Sequence, residues 1–201
     1  MLSYRSLKLK RQFYNLARKY PSSTHTTNDH NRDKIMQDNI NEHLIFGKGI
    51  NCKLNIIQNT LFIEFNPTQS LVSMTRIRLD FKQHDGIHLG YLKCFQSVKM
   101  DLYRHINSKR NQFNAIHIVG YGFAGAIAQI ASLGIYKSFL IPSAITTYDS
   151  PTPFSEMKRE EFDITTLTQE HFVFGYDINF KFYTKLFGYA FPSNIQEYKI
   201  I

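Results

Sequence analysis

The sequence predicts an α/β fold, a mainly parallel sheet flanked by helices, built as a single domain over residues 1–201. Three observations predict it. Short apolar runs alternate with longer segments of helical periodicity, the pattern of successive βαβ units. The stretch Ala115–Ala128 reads as an apolar strand, a glycine-rich turn and an Ala-rich helix. Leu89, Leu92, Phe95, Val98, Leu102 and Ile106 recur at spacings of three and four, so residues 89–110 form a helix with one buried face. A chain of 201 residues can bury one sizeable core and is short for two.

Each element has its own signal. Residues 4–20 form a basic helix with Leu7, Phe13, Leu16, Ala17 and Tyr20 on one side, closed by Pro21. The Ser, Thr, Asn and His run that follows makes 21–34 a loop, and residues 33–43 are polar and weakly helical. Leu54 to Ile57 and Leu61 to Phe65 are strands joined through Gln58-Asn59-Thr60, with a third strand near Met74 to Phe81. After the 89–110 helix come strand Ala115–Val119, helix 123–136, strand Ala144–Tyr148 and strand Phe172–Phe174. Segments 21–34 and 151–169 have the composition of flexible covers.

Composition narrows the function classes. The net charge of +8 favours an acidic partner, and the first twenty residues concentrate it: Arg5, Lys8, Lys10, Arg11, Arg18 and Lys19 precede any acid. That segment is a candidate contact for anionic lipid or nucleic acid. Two cysteines, Cys52 and Cys94, imply neither a disulfide framework nor a zinc knuckle. No apolar run approaches the ~18 residues of a membrane span. The N-terminus lacks an apolar signal core, so the expected setting is intracellular or a virion. Frequent Ile, Lys and Asn suggest an AT-rich genome such as a virus's. His84, Asp85 and His88 lie close together, but Gly86 between them argues for a loop, and no metal or other cofactor is expected.

The glycine turn carries two readings. Gly120, Gly122 and Gly125 satisfy G-x-G-x-x-G, the dinucleotide fingerprint, and Asp149 closes the next strand where a ribose ligand would stand. Against this, the motif starts late, the spacing to Asp149 is long, and little chain remains for a second half-sheet. The other reading is the nucleophile elbow G-x-S-x-G with its central serine replaced by Gly122.

The flanks of the turn favour the elbow. Gly120-Tyr121-Gly122-Phe123-Ala124-Gly125-Ala126 resembles G-H-S-L-G-G-A of the class 3, fungal-type lipases, a branch of the α/β-hydrolases. Ile87-His88-Leu89-Gly90-Tyr91 resembles that family's V-H-x-G-F, and Phe65-Asn66-Pro67-Thr68 its F-R-G-T. Thr147-Tyr148-Asp149-Ser150-Pro151 resembles T-F-G-S-P, and Asp177 stands in a segment similar to D-x-V-P. The first helix also looks like the family's own. The resemblance implies an α/β-hydrolase fold along nearly the whole chain. It places the nucleophile at Gly122, the acid at Asp177 and the histidine at Phe191, with oxyanion donors at the Phe123 N–H and near Thr68.

A serine hydrolase needs an oxygen nucleophile, a base and an acid to orient that base. Glycine has no side chain and phenylalanine takes no proton, so two of these positions are empty. The expectation is a catalytically silent lipase-like protein, a binding or structural component with a protein or anionic-lipid partner. The alternatives are an esterase with a relocated nucleophile, Ser150 or Cys94 being candidates, and a dinucleotide-binding protein. His88 and His117 are expected to be structural, His117 because its strand position aims it at a sheet face.

Overall fold

The structure, a computed structural model, describes residues 42–68, 82–174, 189–190 and 195–198. The expectations for the 4–20 helix, the 21–34 loop, the strand near 74–81, Asp177 and Phe191 lie outside the described residues.

Strands β1 (His43–Phe46), β2 (Ile50–Ile57) and β3 (Thr60–Pro67) form an antiparallel meander. Gln58 and Asn59 make the two-residue turn between β2 and β3, both with positive φ (48° and 64°), as a type I′ hairpin requires. Alternation then sends Cys52, Leu54, Leu61, Ile63 and Phe65 to one face, where Cys52 stands opposite Phe65 and Leu54 opposite Ile63. β1 escapes sequence reading because its four residues, His-Leu-Ile-Phe, show one buried position only, Ile45. Residues 42 and 43 are not helical: His43 opens this strand, which corrects the C-terminal end of the expected 33–43 helix.

A small hairpin follows, β4 (Gln83–His84) and β5 (Ile87–His88), turning at Asp85 and Gly86 with φ of 51° and 71°. Helix α1 (Leu89–Ser108) buries Phe95, Val98, Leu102 and Ile106 of the predicted stripe together with Tyr91 and Cys94, while Leu89 and Leu92 at its start are only partly buried. A short 3-10 turn (Arg110–Gln112) leads into β6 (Ala115–Tyr121). Helix α2 (Phe123–Phe139) is apolar nearly all round and accordingly buried along most of its length. Then come β7 (Ser143–Tyr148), α3 (Glu156–Thr165), β8 (Thr168–Phe174) and β9 (Ile195–Tyr198).

The sheet order is β1-β2-β3-β6-β7-β8-β9, with every pair from β3 onward parallel. This is the mainly parallel sheet expected. The core lies between the sheet and helices α1 and α2, where Ile63, Phe65, Ile116, Ile118, Phe95, Leu102, Ile127 and Ile130 meet. Segment 151–169, expected as a flexible cover, is instead a short strap, helix α3 and the start of β8, held by the fully buried Phe154 and Phe162, whose rings pack 5.1 Å apart.

Candidate functional site

The C-terminal ends of the parallel strands converge at the turn between β6 and α2. Gly122 is its apex, with φ 53° and ψ −127°. A side chain held there is strained, which is the signature of a nucleophile elbow. Two hydrogen bonds fix the turn: Gly122 N–H donates to Tyr148 O at 2.7 Å and Gly125 N–H to Gly122 O at 2.9 Å.

The three glycines serve different ends. A Cβ on Gly120 would lie 2.6 Å from Ala124 O and 2.7 Å from Gly125 Cα, so β6 and α2 touch backbone to backbone there. A Cβ on Gly125 would lie 2.6 Å from Ser150 Cβ. Among the described residues, a Cβ on Gly122 would meet nothing within 4 Å. Among the described residues, then, no neighbour crowds the place where an elbow side chain would project, and the backbone angle alone favours glycine.

Around this apex the register brings the other predicted positions. Phe65 pairs with Gly120, so Asn66, Pro67 and Thr68 run on beside the turn. Thr68 N–H donates to Gly49 O at 3.2 Å, so its backbone donor is engaged and any donation into the site falls to its hydroxyl. Phe123 opens α2, so its N–H is one of the helix-start donors that no intrahelical carbonyl can reach. Its ring is buried and meets Tyr91 edge-on at 5.4 Å. Tyr91 in turn stacks on His88 at 4.2 Å, and Tyr189 lies 5.5 Å from the same imidazole. Tyr189 and Ala190 thus dock beside the turn; they immediately precede Phe191 in the sequence, the position matched to the family histidine.

Ser150, Cys94 and His88 are buried, and the other candidate groups are engaged by their own partners. Ser150 is buried; its hydroxyl donates to Pro151 O at 3.0 Å and accepts from Gln129 Nε2 at 3.0 Å. Cys94 is buried and its thiol is pushed up to about 11 by that burial. His88 is buried against aromatic rings. His117 faces the sheet side, with Nε2 2.9 Å from Thr146 Oγ1 and its ring 5.5 Å from Phe62. Asp85, in the hairpin that holds His84 and His88, accepts from Lys158 Nζ at 2.7 Å.

Sequence reasoning missed a buried polar network beneath this rim. Arg159, 3% exposed, pairs with Asp163 at 2.8 Å through Nε and donates to Gln169 Oε1 at 2.5 Å and Gln129 Oε1 at 3.4 Å. His171 Nδ1 lies 2.7 Å from Thr147 Oγ1 and Nε2 lies 3.2 Å from Gln169 Oε1. Desolvation and the neighbouring Arg159 hold this imidazole down to about 4. Charges in an acidic, short helix read as solvated, so nothing in the sequence marked Arg159 as interior.

The topology separates the two motif readings. From β6 the chain steps to β7, β8 and β9 in one direction. A dinucleotide crevice needs the strand order to reverse beside the glycine turn, and the described strands contain no such reversal after it. A strand, a positive-φ apex and a buried helix on a one-way parallel sheet define an α/β-hydrolase architecture.

No protein-family model matches the chain, and no curated protein matches its sequence significantly. Solved structures do match. A lipase from Rhizopus microsporus var. chinensis superposes with a TM-score of 0.68 at 20% identity, covering 82% of this chain and 63% of that one. The Rhizomucor miehei lipase of a propeptide complex gives 0.66 at 17%, covering 84% and 59%. Lipase II from Rhizopus niveus gives 0.66 at 18%, covering 82% and 68%. The chain has the fold of these fungal lipases, and it spans about six-tenths to two-thirds of their length.

Proposed function

We propose that this chain is a catalytically silent lipase-like protein, a binding or structural component whose elbow no longer performs acyl transfer. One observation carries the reading: the residue at the positive-φ apex is Gly122, which offers no nucleophile. Ser150 and Cys94 are buried, and the hydrogen-bond partners of Ser150 are an amide and a carbonyl rather than a base. Phe191 at the family's histidine position removes the base as well. Loss of a triad member alone lowers turnover by about 10⁴ to 10⁶.

We assign the remaining donors of the site to the helix-start N–H of Phe123 and the hydroxyl of Thr68, groups suited to hold a carbonyl or a carboxylate. The partner we favour is a protein or an anionic lipid surface engaged by the basic residues 4–20, in an intracellular or virion setting. The test is hydrolysis of short- and long-chain nitrophenyl esters by the wild-type chain, beside a Gly122→Ser, Phe191→His double variant. The expected wild-type rate equals that of buffer. Wild-type hydrolysis above buffer that survives repurification would overturn the reading and require the true nucleophile to be mapped by covalent labelling.

A further inference from the structure

The strap from Pro151 to Ser155 and helix α3 hold together three pieces of the elbow's rim. His88 N–H donates to Pro153 O at 2.8 Å and Ser155 N–H to Gly86 O at 2.8 Å, which ties down the β4–β5 hairpin. Ala190 N–H donates to Phe154 O at 3.0 Å, and Ser155 bridges to Tyr189. Lys158 spans the hairpin and α3 through Asp85 at 2.7 Å and Glu161 at 2.9 Å. Through His88, Tyr91 and Phe123 these pieces reach the apex itself.

The underside of α3 is fastened by polar groups. Arg159 reaches Gln129 on α2 and Gln169 on β8, and His171 on β8 completes the set through Gln169 Oε1 and the Thr147 hydroxyl on β7. Gln169 Oε1 has no hydrogen to give, so it accepts from Arg159 and from His171 Nε2–H together. Nε2 therefore carries a proton, and in the neutral imidazole Nδ1 accepts from the Thr147 hydroxyl; a second proton would place a positive charge on a ring that shares the Gln169 Oε1 acceptor with Arg159. Charged groups face it from α3 alone among the described side chains: Arg159, which disfavours a second positive charge, and Asp163, which favours one. β7 offers the Thr147 hydroxyl, α2 the Gln129 amide, and β9 sets Ile195 opposite in register.

We propose that this network is an acid-released latch: protonation of buried His171 beside Arg159 frees α3 and its strap, and with them the rim of the elbow. The device rests on the network alone and works whether or not the elbow is silent. The ordinary imidazole value of 6.5 returns when α3 lifts, against about 4 when it is seated. The open population therefore rises about 30-fold between pH 7.5 and pH 5.

Hydrogen exchange read by mass spectrometry, corrected for the intrinsic pH dependence, tests this on the full chain. Amides of α3 and early β8 are expected to exchange about 30-fold faster at pH 5 than at pH 7.5, while those of α1 keep their protection. His171→Asn should abolish the pH dependence. Arg159→Gln, which removes the repelling charge, should flatten the slope whatever its absolute level, and so serves if the first variant folds poorly. Unchanged α3 protection, equal loss in α1 and α3, or a wild-type slope in both variants would each overturn the latch.

Discussion

Substituting the elbow glycines one at a time separates conformational from steric demand. At Gly122 the angles of 53° and −127° disfavour any L-residue, at a cost of about 1–3 kcal/mol. No clash with the described residues adds to it, because the new Cβ meets none of them within 4 Å. For a chain of this size each kcal/mol lowers Tm by roughly 2–4 °C, so Gly122→Ala and Gly122→Ser should melt about 2–12 °C below wild type. Gly120→Ala is a different case. Its Cβ would sit 2.6–2.8 Å from backbone atoms of Ala124 and Gly125, which cannot rotate away. Strand and helix must part, losing core contacts, and the loss should exceed about 4 kcal/mol or prevent soluble folding. Thermal unfolding followed by circular dichroism compares the series. Equal destabilisation by Gly122→Ala and Gly120→Ala would refute the open apex, and with it the claim that glycine stands there without steric compulsion. Gly122→Ser alone should leave ester turnover at the buffer rate, since no base accompanies it.

Three further outcomes follow from the buried groups. Native Cys52 and Cys94 should resist a thiol reagent at pH 8 and both react in denaturant, because burial raises both thiols, Cys94 to about 11; fast native labelling would reopen the relocated-nucleophile alternative. Gln129→Leu strips partners from Ser150 and Arg159 and should cost about 1–3 kcal/mol in denaturant titration; a neutral result would mean that the network adds nothing to stability. His105 is held below its ordinary value by burial, then by stacked His43 and by Lys109, so the folded state takes up this proton less readily than the unfolded one. Its contribution should be intact above pH 6.5 and decline as pH falls below it, and His105→Gln should reduce that slope in pH-dependent unfolding.

Periodicity carried most of the fold because its demands are local. The α1 stripe, the β2–β3 alternation and the strand–glycine–helix unit each follow from a neighbour-to-neighbour pattern, and each forms where expected. Their ends were less legible: α2 runs on to Phe139 and stops at Leu140 in a left-handed conformation that no residue type announced, while α1 stops at Ser108, short of the expected 110. β8 starts at Thr168, earlier than the apolar Phe172–Phe174, because its first residues alternate Gln169 and His171 inward with Glu170 outward. A polar strand buried by hydrogen bonds has no hydropathy signal.

The same distinction governs the site. A glycine at an elbow could mean a lost serine or a phosphate cradle, and the letters alone allow both. What separates them is non-local: Tyr148 O on the neighbouring strand takes the Gly122 N–H, Ser150 presses on Gly125, and the strands march one way from β6. Gly120 and Gly125 hold β6, α2 and β7 together, and no larger residue fits there. Gly122 carries no such duty among the described residues, none of which lies within 4 Å of a Cβ placed there. A scaffold that needed only its turn would demand glycine at the first two positions and tolerate a strained side chain at the third. An active hydrolase accepts that strain to present its oxygen. Glycine at the apex relieves that strain and offers no oxygen, the feature on which the proposed loss of acyl transfer rests.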